Sequence, residues 1–351
     1  MAGTQVLAEM GEQPDVLARI VADRPALHET IRASLPERLR GVCLIARGSS
    51  DNVAVHARYL LELATGIPVS MVAPSIVTRY HAVPRVDDWL VVALSQSGRT
   101  PEIVDVATQL AGNGAAVVAV TNDADSPLAD AAAVTLSVGT SPELAVPATK
   151  TVTGSLALVT LLAEAVGTGI ADYTGGDPAW EALADVVGTA LGDQHSVERA
   201  VQVLAPRESA VHLARGLTYC AALEGALKAK ETSRRVHDGY SSADFLHGPL
   251  TVAGPDVPVV AYGAVGPVLA DVAETAGRAV TLGSPVIGVG AEATWRGIDG
   301  ALGVPVRQTL GEALAVIPLV VRGQQLAIST TLALGMDPDT PEGLNKVTAT
   351  N

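Results

Sequence analysis

The stretch Val91–Glu102, VVALSQSGRTPE, decides how this chain is read. An aliphatic run gives way to Ser95, Gln96 and Ser97, then to Gly98, Thr100 and Pro101. A short apolar run closed by Gly and Pro reads as a buried strand entering a helix, the βα step of a parallel sheet. At such a step the first N–H groups of the helix lack partners and carry the positive end of its dipole. Ser95, Ser97 and Thr100 would add hydroxyl donors, and Gly98 would remove a side chain that blocks approach, so the turn suits an anion. Ser and Thr are also favoured N-caps, and Pro is common in a first helical turn, so the residues alone favour a plain helix start. A second hydroxyl turn, Ser49 and Ser50 in ARGSSDN, again follows an apolar run and favours the anion.

Working outward, aliphatic runs alternate with helical stretches along most of the chain, which predicts an α/β fold built on parallel sheet. Strands are expected at GVCLIA, VSMVA, WLVVALS, AVVAVTN and AVTLSV. At an offset of 168, Gly48 in CLIARGSS falls on Gly216 in VHLARGLT, and WLVVALSQSG falls on VPVVAYGAVG. AVVAVTND falls near SPVIGVGAE, and one residue further ELAVPATK meets EALAVIPLV. This predicts a duplicated domain. The expected layout is an N-terminal helical segment over 1–36, a first domain over 37–170, a linker helix over 171–196, a second domain over 197–334, and a tail over 335–351. Only the first copy keeps hydroxyls after its strands, so only it is expected to hold an anion.

Composition narrows the partners. Of 351 residues, 48% are hydrophobic and 17% charged, which is a globular balance, and 3% aromatics leave Ala, Val, Leu and Ile to build the cores. The net charge of −14 argues against a nucleic-acid surface, so a phosphate would need a small local site. Cys43 and Cys220 lie far apart in apolar patterns and read as buried thiols. The acidic start carries no signal-peptide pattern, and SLALVTLLAEAV is too short to span a bilayer. A cytoplasmic protein with no membrane partner is the expectation.

In the second half, AALEGALKAKETS spaces Glu224, Lys228 and Glu231 by four and three, on one helix face. A surface salt-bridge ladder has the same spacing. His247 stands in DFLHGPL and Lys346 in EGLNKVT, where a structural histidine and a solvated lysine would be ordinary. The other histidines are scattered without metal-ligand spacing, and no dinucleotide-binding glycine pattern occurs, so neither metal nor cofactor is expected.

SQSGRT after a strand, ARGSSDN before it, ALEGALKAKE, LHGPL and the late lysine together resemble the sugar isomerase (SIS) domain family. The arrangement is similar to the isomerase half of glucosamine-6-phosphate synthase and to related deaminases. The resemblance implies two tandem SIS domains, each a three-layer, flavodoxin-like αβα sandwich. It implies that Ser49, Ser50, Ser95, Gln96, Ser97 and Thr100, with Val146 and Ala148 of ELAVPATK, contact a phosphorylated amino sugar or ketose. Glu231 is the implied proton shuttle, Lys228 its electrostatic partner, and Glu224 the group that orients Lys228. His247 would open the sugar ring from the neighbouring subunit of a homodimer, and Lys346 would close over the site as a Schiff-base amine. Three departures are visible: no glutaminase domain or cysteine precedes Cys43, Ala148 replaces a hydroxyl residue, and Arg99 replaces the usual glutamate. The first points to a glucosamine-6-phosphate deaminase. The alternatives are a fructosamine-6-phosphate deglycase, an ammonia-dependent synthase-like subunit, and a non-catalytic sugar-phosphate sensor.

Overall fold

The computed structural model describes residues 2–346, which cluster into two compact units. Residues 347–351 of the expected tail lie outside the described residues.

The first-sheet unit combines Val16–Glu143 and Lys150–Asp172 with Asn345 and Lys346. Its strands are β1 (Gly41–Ile45), β2 (Val69–Met71), β3 (Trp89–Leu94), β4 (Ala116–Thr121) and β5 (Val134–Ser137), all parallel, in the order β2-β1-β3-β4-β5. Val42 lies opposite Leu90, and Leu90 opposite Ala116, so the central strands share one register. One sheet face, with Cys43, Ile45, Val91, Ala93, Val117 and Ala119, packs on Ile103, Val106 and Leu110 of the helix Pro101–Gly112. The alternate residues face the other side, where the helices Ser49–Thr65 and Lys150–Val166 pack together. Both faces are covered, which is why the central strands read as continuous aliphatic runs.

The second-sheet unit holds the residues up to Asp15, Leu144–Thr149 and Tyr173–Leu344. Its strands are β6 (Ser209–Ala214), β7 (Val236–Ser241), β8 (Val259–Gly263), β9 (Val286–Gly290) and β10 (Leu302–Pro305). They are parallel in the order β7-β6-β8-β9-β10, which repeats the order of the first sheet. Val211, Leu213, Val259, Ala261 and Val286 pack on Val272, Ala276 and Ala279 of the helix Leu269–Thr281. The helices Tyr219–Ser233 and Glu312–Ala333 pack closely on each other. The latter, at 22 residues, is long and apolar enough to cross a membrane by length and composition, yet 94% of its most apolar window is buried in the fold. Among the described residues this core element is the one helix that meets that length and composition, and the helix holding SLALVTLLAEAV does not.

Cys43 and Cys220 are free and buried, and burial pushes the Cys43 thiol up to about 12, far from nucleophilic.

Candidate functional site

Two turns at the carboxyl edge of the first sheet carry the hydroxyls. After β1 the chain turns through Gly48, at φ 60°, directly into the helix Ser49–Thr65, so Ser49 and Ser50 occupy its first turn. After β3, Ser95 is buried and its Oγ lies 3.3 Å from Thr100 Oγ1. Ser97 Oγ accepts the Arg99 N–H at 3.2 Å, which folds the turn back on itself. Gly98 is required here: its φ is 63°, and a Cβ would lie 2.1 Å from Ser126 Oγ. Thr100 holds the N-cap position of the helix Pro101–Gly112, yet its side chain makes no capping hydrogen bond. SGRTPE does start a helix, but without a side-chain cap, and the Thr100 hydroxyl pairs with Ser95 instead.

Charges near this edge are largely spoken for. Arg99 Nη2 donates to Asp123 Oδ2 at 2.8 Å, and this hydrogen bond holds the Asp123 carboxyl below its ordinary range. Arg99 is thus an exposed partner of Asp123. Arg47 pairs with the buried Glu102 at 2.9 Å, tying the first hydroxyl turn to the helix after the second. Burial raises the Asp51 carboxyl, and Arg47 opposes that rise.

The ELAVPATK segment divides between the units. In the first-sheet unit, buried Glu143 accepts from Thr151 N at 3.2 Å, Thr151 Oγ1 at 2.7 Å and Lys346 Nζ at 2.8 Å. Lys346 is therefore held in an ion pair. In the second-sheet unit, Val146 and Ala148 are half-buried while Ala145, Pro147 and Thr149 between them are buried. That strip is set by the helix Thr4–Gly11 and the tail. Buried Glu9 accepts from Leu144 N at 2.5 Å and Ala145 N at 3.3 Å, and Val146 N donates to Asp339 O at 3.0 Å. Asp337 accepts from Gly3 N at 3.1 Å and Asp339 from Val6 N at 2.7 Å, capping the helix from 334 and 333 residues away.

The helix Tyr219–Ser233 holds the acid–base cluster. Glu224 and Lys228 have side chains only 1% exposed, which rules out a surface ladder. Lys228 Nζ lies 3.6 Å from Glu224 Oε1 and donates to Glu231 Oε2. A buried ammonium is tolerable only where carboxylates and hydrogen bonds compensate its lost hydration. Glu231, 24% exposed, is the member of the cluster that a ligand can reach. The helix lies directly on the sheet because residue 225 is glycine: a Cβ there would lie 2.3 Å from the Tyr262 hydroxyl. Tyr262 Oη is 3.0 Å from His212 Nδ1, and His212 Nε2 is 3.0 Å from His237 Nδ1. Burial pushes His212 far below its ordinary range and His237 down to about 4, so this network is neutral. His247 ends the short helix Ser242–Leu246 and is exposed, without a side-chain hydrogen bond among the described residues.

The structure thus groups Ser95 with Thr100, and Glu224 with Lys228 and Glu231. Lys346 pairs with Glu143 in the first-sheet unit. Sequence reasoning missed Glu143, Glu9, Asp337, Asp339 and the His212–His237–Tyr262 network. Glu143 did carry one signal, its alignment with Glu312 in the repeat. Among the described residues, no cluster of three His, Cys, Asp or Glu side chains could hold a metal ion.

Residues 40–165 match the family model described as SIS domain. The chain is 32% identical over 367 residues to the glutamine–fructose-6-phosphate aminotransferase (isomerizing) of Symbiobacterium thermophilum, covering 97% of this chain and 58% of that protein. The same-named protein of Thermococcus kodakarensis is 31% identical, with 97% and 57% covered. The chain therefore spans somewhat over half the length of these curated relatives. A Silicibacter pomeroyi structure, described provisionally as a phosphosugar isomerase, superposes with a TM-score of 0.83 at 31% identity, covering 97% of this chain and all of the other. The C-terminal domain of the Francisella tularensis glucosamine-fructose-6-phosphate aminotransferase shares the fold, with a TM-score of 0.84 at 22% identity and coverage of 95% and 97%.

Proposed function

The chain belongs to the SIS domain family, and on that premise we propose that it is a phosphosugar isomerase-type enzyme whose reaction converts glucosamine 6-phosphate and water to fructose 6-phosphate and ammonia. The observation that carries this reading is the buried Lys228 set between Glu224 and Glu231, with only Glu231 open to a ligand. Isomerisation of an open-chain amino aldose needs a base to take the C2 proton and return it to C1, and a cation to steady the negative charge meanwhile. Glu231 is the base. Lys228, anchored by Glu224, holds one Glu231 oxygen and orients the other.

In the proposed sequence, His247 first opens the pyranose ring, moving a proton between the ring oxygen and the C1 hydroxyl. Its exposed position suits service to a second copy of the chain, as a homodimer would require. Glu231 then removes the C2 proton and delivers it to C1, while a second proton passes from the amine nitrogen to O1, so that the C1 aldehyde becomes an alcohol and C2 an imine. Water adds to the imine carbon, and ammonia leaves with its electron pair, giving the ketose. Ser49, Ser50, Ser95, Gln96, Ser97 and Thr100 hold the phosphate, while Val146 and Ala148 line the sugar. Lys346, once released from Glu143, is the amine that engages the ketose. We read the two sheets as two tandem copies of one fold, of flavodoxin type, supported by their shared strand order.

The choice of sugar is supported by relatives named for fructose 6-phosphate, which match 97% of this chain. Free ammonia is scarce at neutral pH, where it is held as ammonium, and this favours the deaminating direction. Purified protein given glucosamine 6-phosphate should release ammonia and fructose 6-phosphate in equal amounts. Binding without turnover, with Glu231→Gln no worse than wild type, would sink the proposal. Amine release from a fructosamine 6-phosphate instead would make the protein a deglycase.

A further inference from the structure

The carboxyl edge of the second sheet contains an acid that no step above uses. Glu312 opens the helix Glu312–Ala333, is only 5% exposed, and makes no hydrogen bond or ion pair among the described residues. Its carboxyl lies between the two turns that follow β6 and β8. A Cβ placed on Gly266 would lie 2.3 Å from Glu312 Oε2, and one on Gly216 would lie 4.0 Å from Oε1.

These glycines are the repeat partners of the hydroxyl turns. Gly216 corresponds to Gly48 and Gly266 to Gly98 at the same offset of 168. Gly216 shares the positive φ, 59° against 60° at Gly48. The surroundings still suit an anion. Arg215 stands at the first turn, shared with Asp271 at 3.2 Å, Thr218 lies in the same turn, and a 22-residue helix begins beside it. What differs is that this crevice is already filled from within. An acid in a first helical turn is ordinarily a surface residue stabilised by the dipole. Glu312 is instead desolvated, and burial pushes its carboxyl up to about 7.

We propose that Glu312 is a built-in substitute for an anion: its carboxyl closes a latent phosphate site at the edge of the second sheet, so that one chain takes one phosphate. This rests on the reading of the first-sheet hydroxyl turn as the open phosphate site. The test is the stoichiometry of inorganic phosphate binding to the full chain, by calorimetry or phosphorus NMR. Wild type should bind one equivalent, while Glu312→Ser and Glu312→Ala should bind two. Adding Ser97→Ala and Thr100→Val to Glu312→Ser should return the count to one. A folded Glu312→Ser or Glu312→Ala variant that still binds one equivalent overturns the proposal. Failure of both variants to fold also overturns it, because the carboxyl would then be structural rather than an occupant. No binding by wild type with one equivalent bound by Glu312→Ser would uphold the latent site and refute the hydroxyl turn.

Discussion

The two sheets share a strand order and a glycine framework but end differently. The first closes β3 on Ser95, Ser97 and Thr100, with its buried acid Glu143 satisfied by Thr151 and Lys346. The second closes β8 on Gly263, Ala264, Val265 and Gly266, with its buried acid Glu312 without a partner among the described residues. A parallel sheet supplies an anion-ready edge as a by-product of its helix starts. Side chains then decide whether that edge stays open. In this chain the turn after β8 of the second sheet carries no hydroxyl, and the unit carries titratable groups on the Tyr219–Ser233 helix instead.

The comparison can be broken most severely at that helix. Glu231→Gln should lower kcat by about 100- to 10,000-fold, the range for loss of a general base, with little change in folding or phosphate binding. Lys228→Met comes next: it leaves Glu224 buried without its cation, and chemical denaturation should show a loss of about 3–5 kcal/mol. The hydroxyl edge is sharpened by Ser97→Ala, which should raise KM about tenfold at nearly constant kcat, as expected for one hydrogen bond to a charged group. Val265→Ala, at the matching edge of the second sheet, should leave both constants unchanged.

A pH-dependent effect concerns Glu312. Its carboxyl titrates near 7 in the folded chain against 4.5 in its ordinary range, so between those values the folded state holds the proton that the unfolded state has lost. Folding stability should therefore fall as pH rises from about 4.5 to about 7, then level off. Glu312→Gln should remove that decline, and melting temperatures across the window would measure it. An identical slope in the variant would mean that Glu312 is solvated like any surface acid.

Much of this was legible beforehand, because aliphatic strands and positive-φ glycines leave marks in single residues. β1, β3 and β4 read directly from VCLI, LVVAL and AVVAV, since both sheet faces bury them. β7, VHDGYS, did not, because only His237 is fully buried and its neighbours Val236 and Asp238 are exposed. The cluster of Glu224, Lys228 and Glu231 was legible as spacing, while its burial was not, since spacing is blind to what packs on a helix. The clamp of Glu9, Asp337 and Asp339 on the Thr4–Gly11 helix and the Val146 strip had no local signal at all: its partners are 135 to 334 residues apart. Glu312 was hidden for the opposite reason, since an acid in a first helical turn looks ordinary.

The most direct measurement follows glucosamine 6-phosphate labelled with deuterium at C2. Incubated with the wild-type protein, it should yield ammonia and fructose 6-phosphate, with deuterium lost from C2 and partly recovered at C1. Retention of all the deuterium at C2, with no ammonia formed although the sugar phosphate binds, would contradict the account.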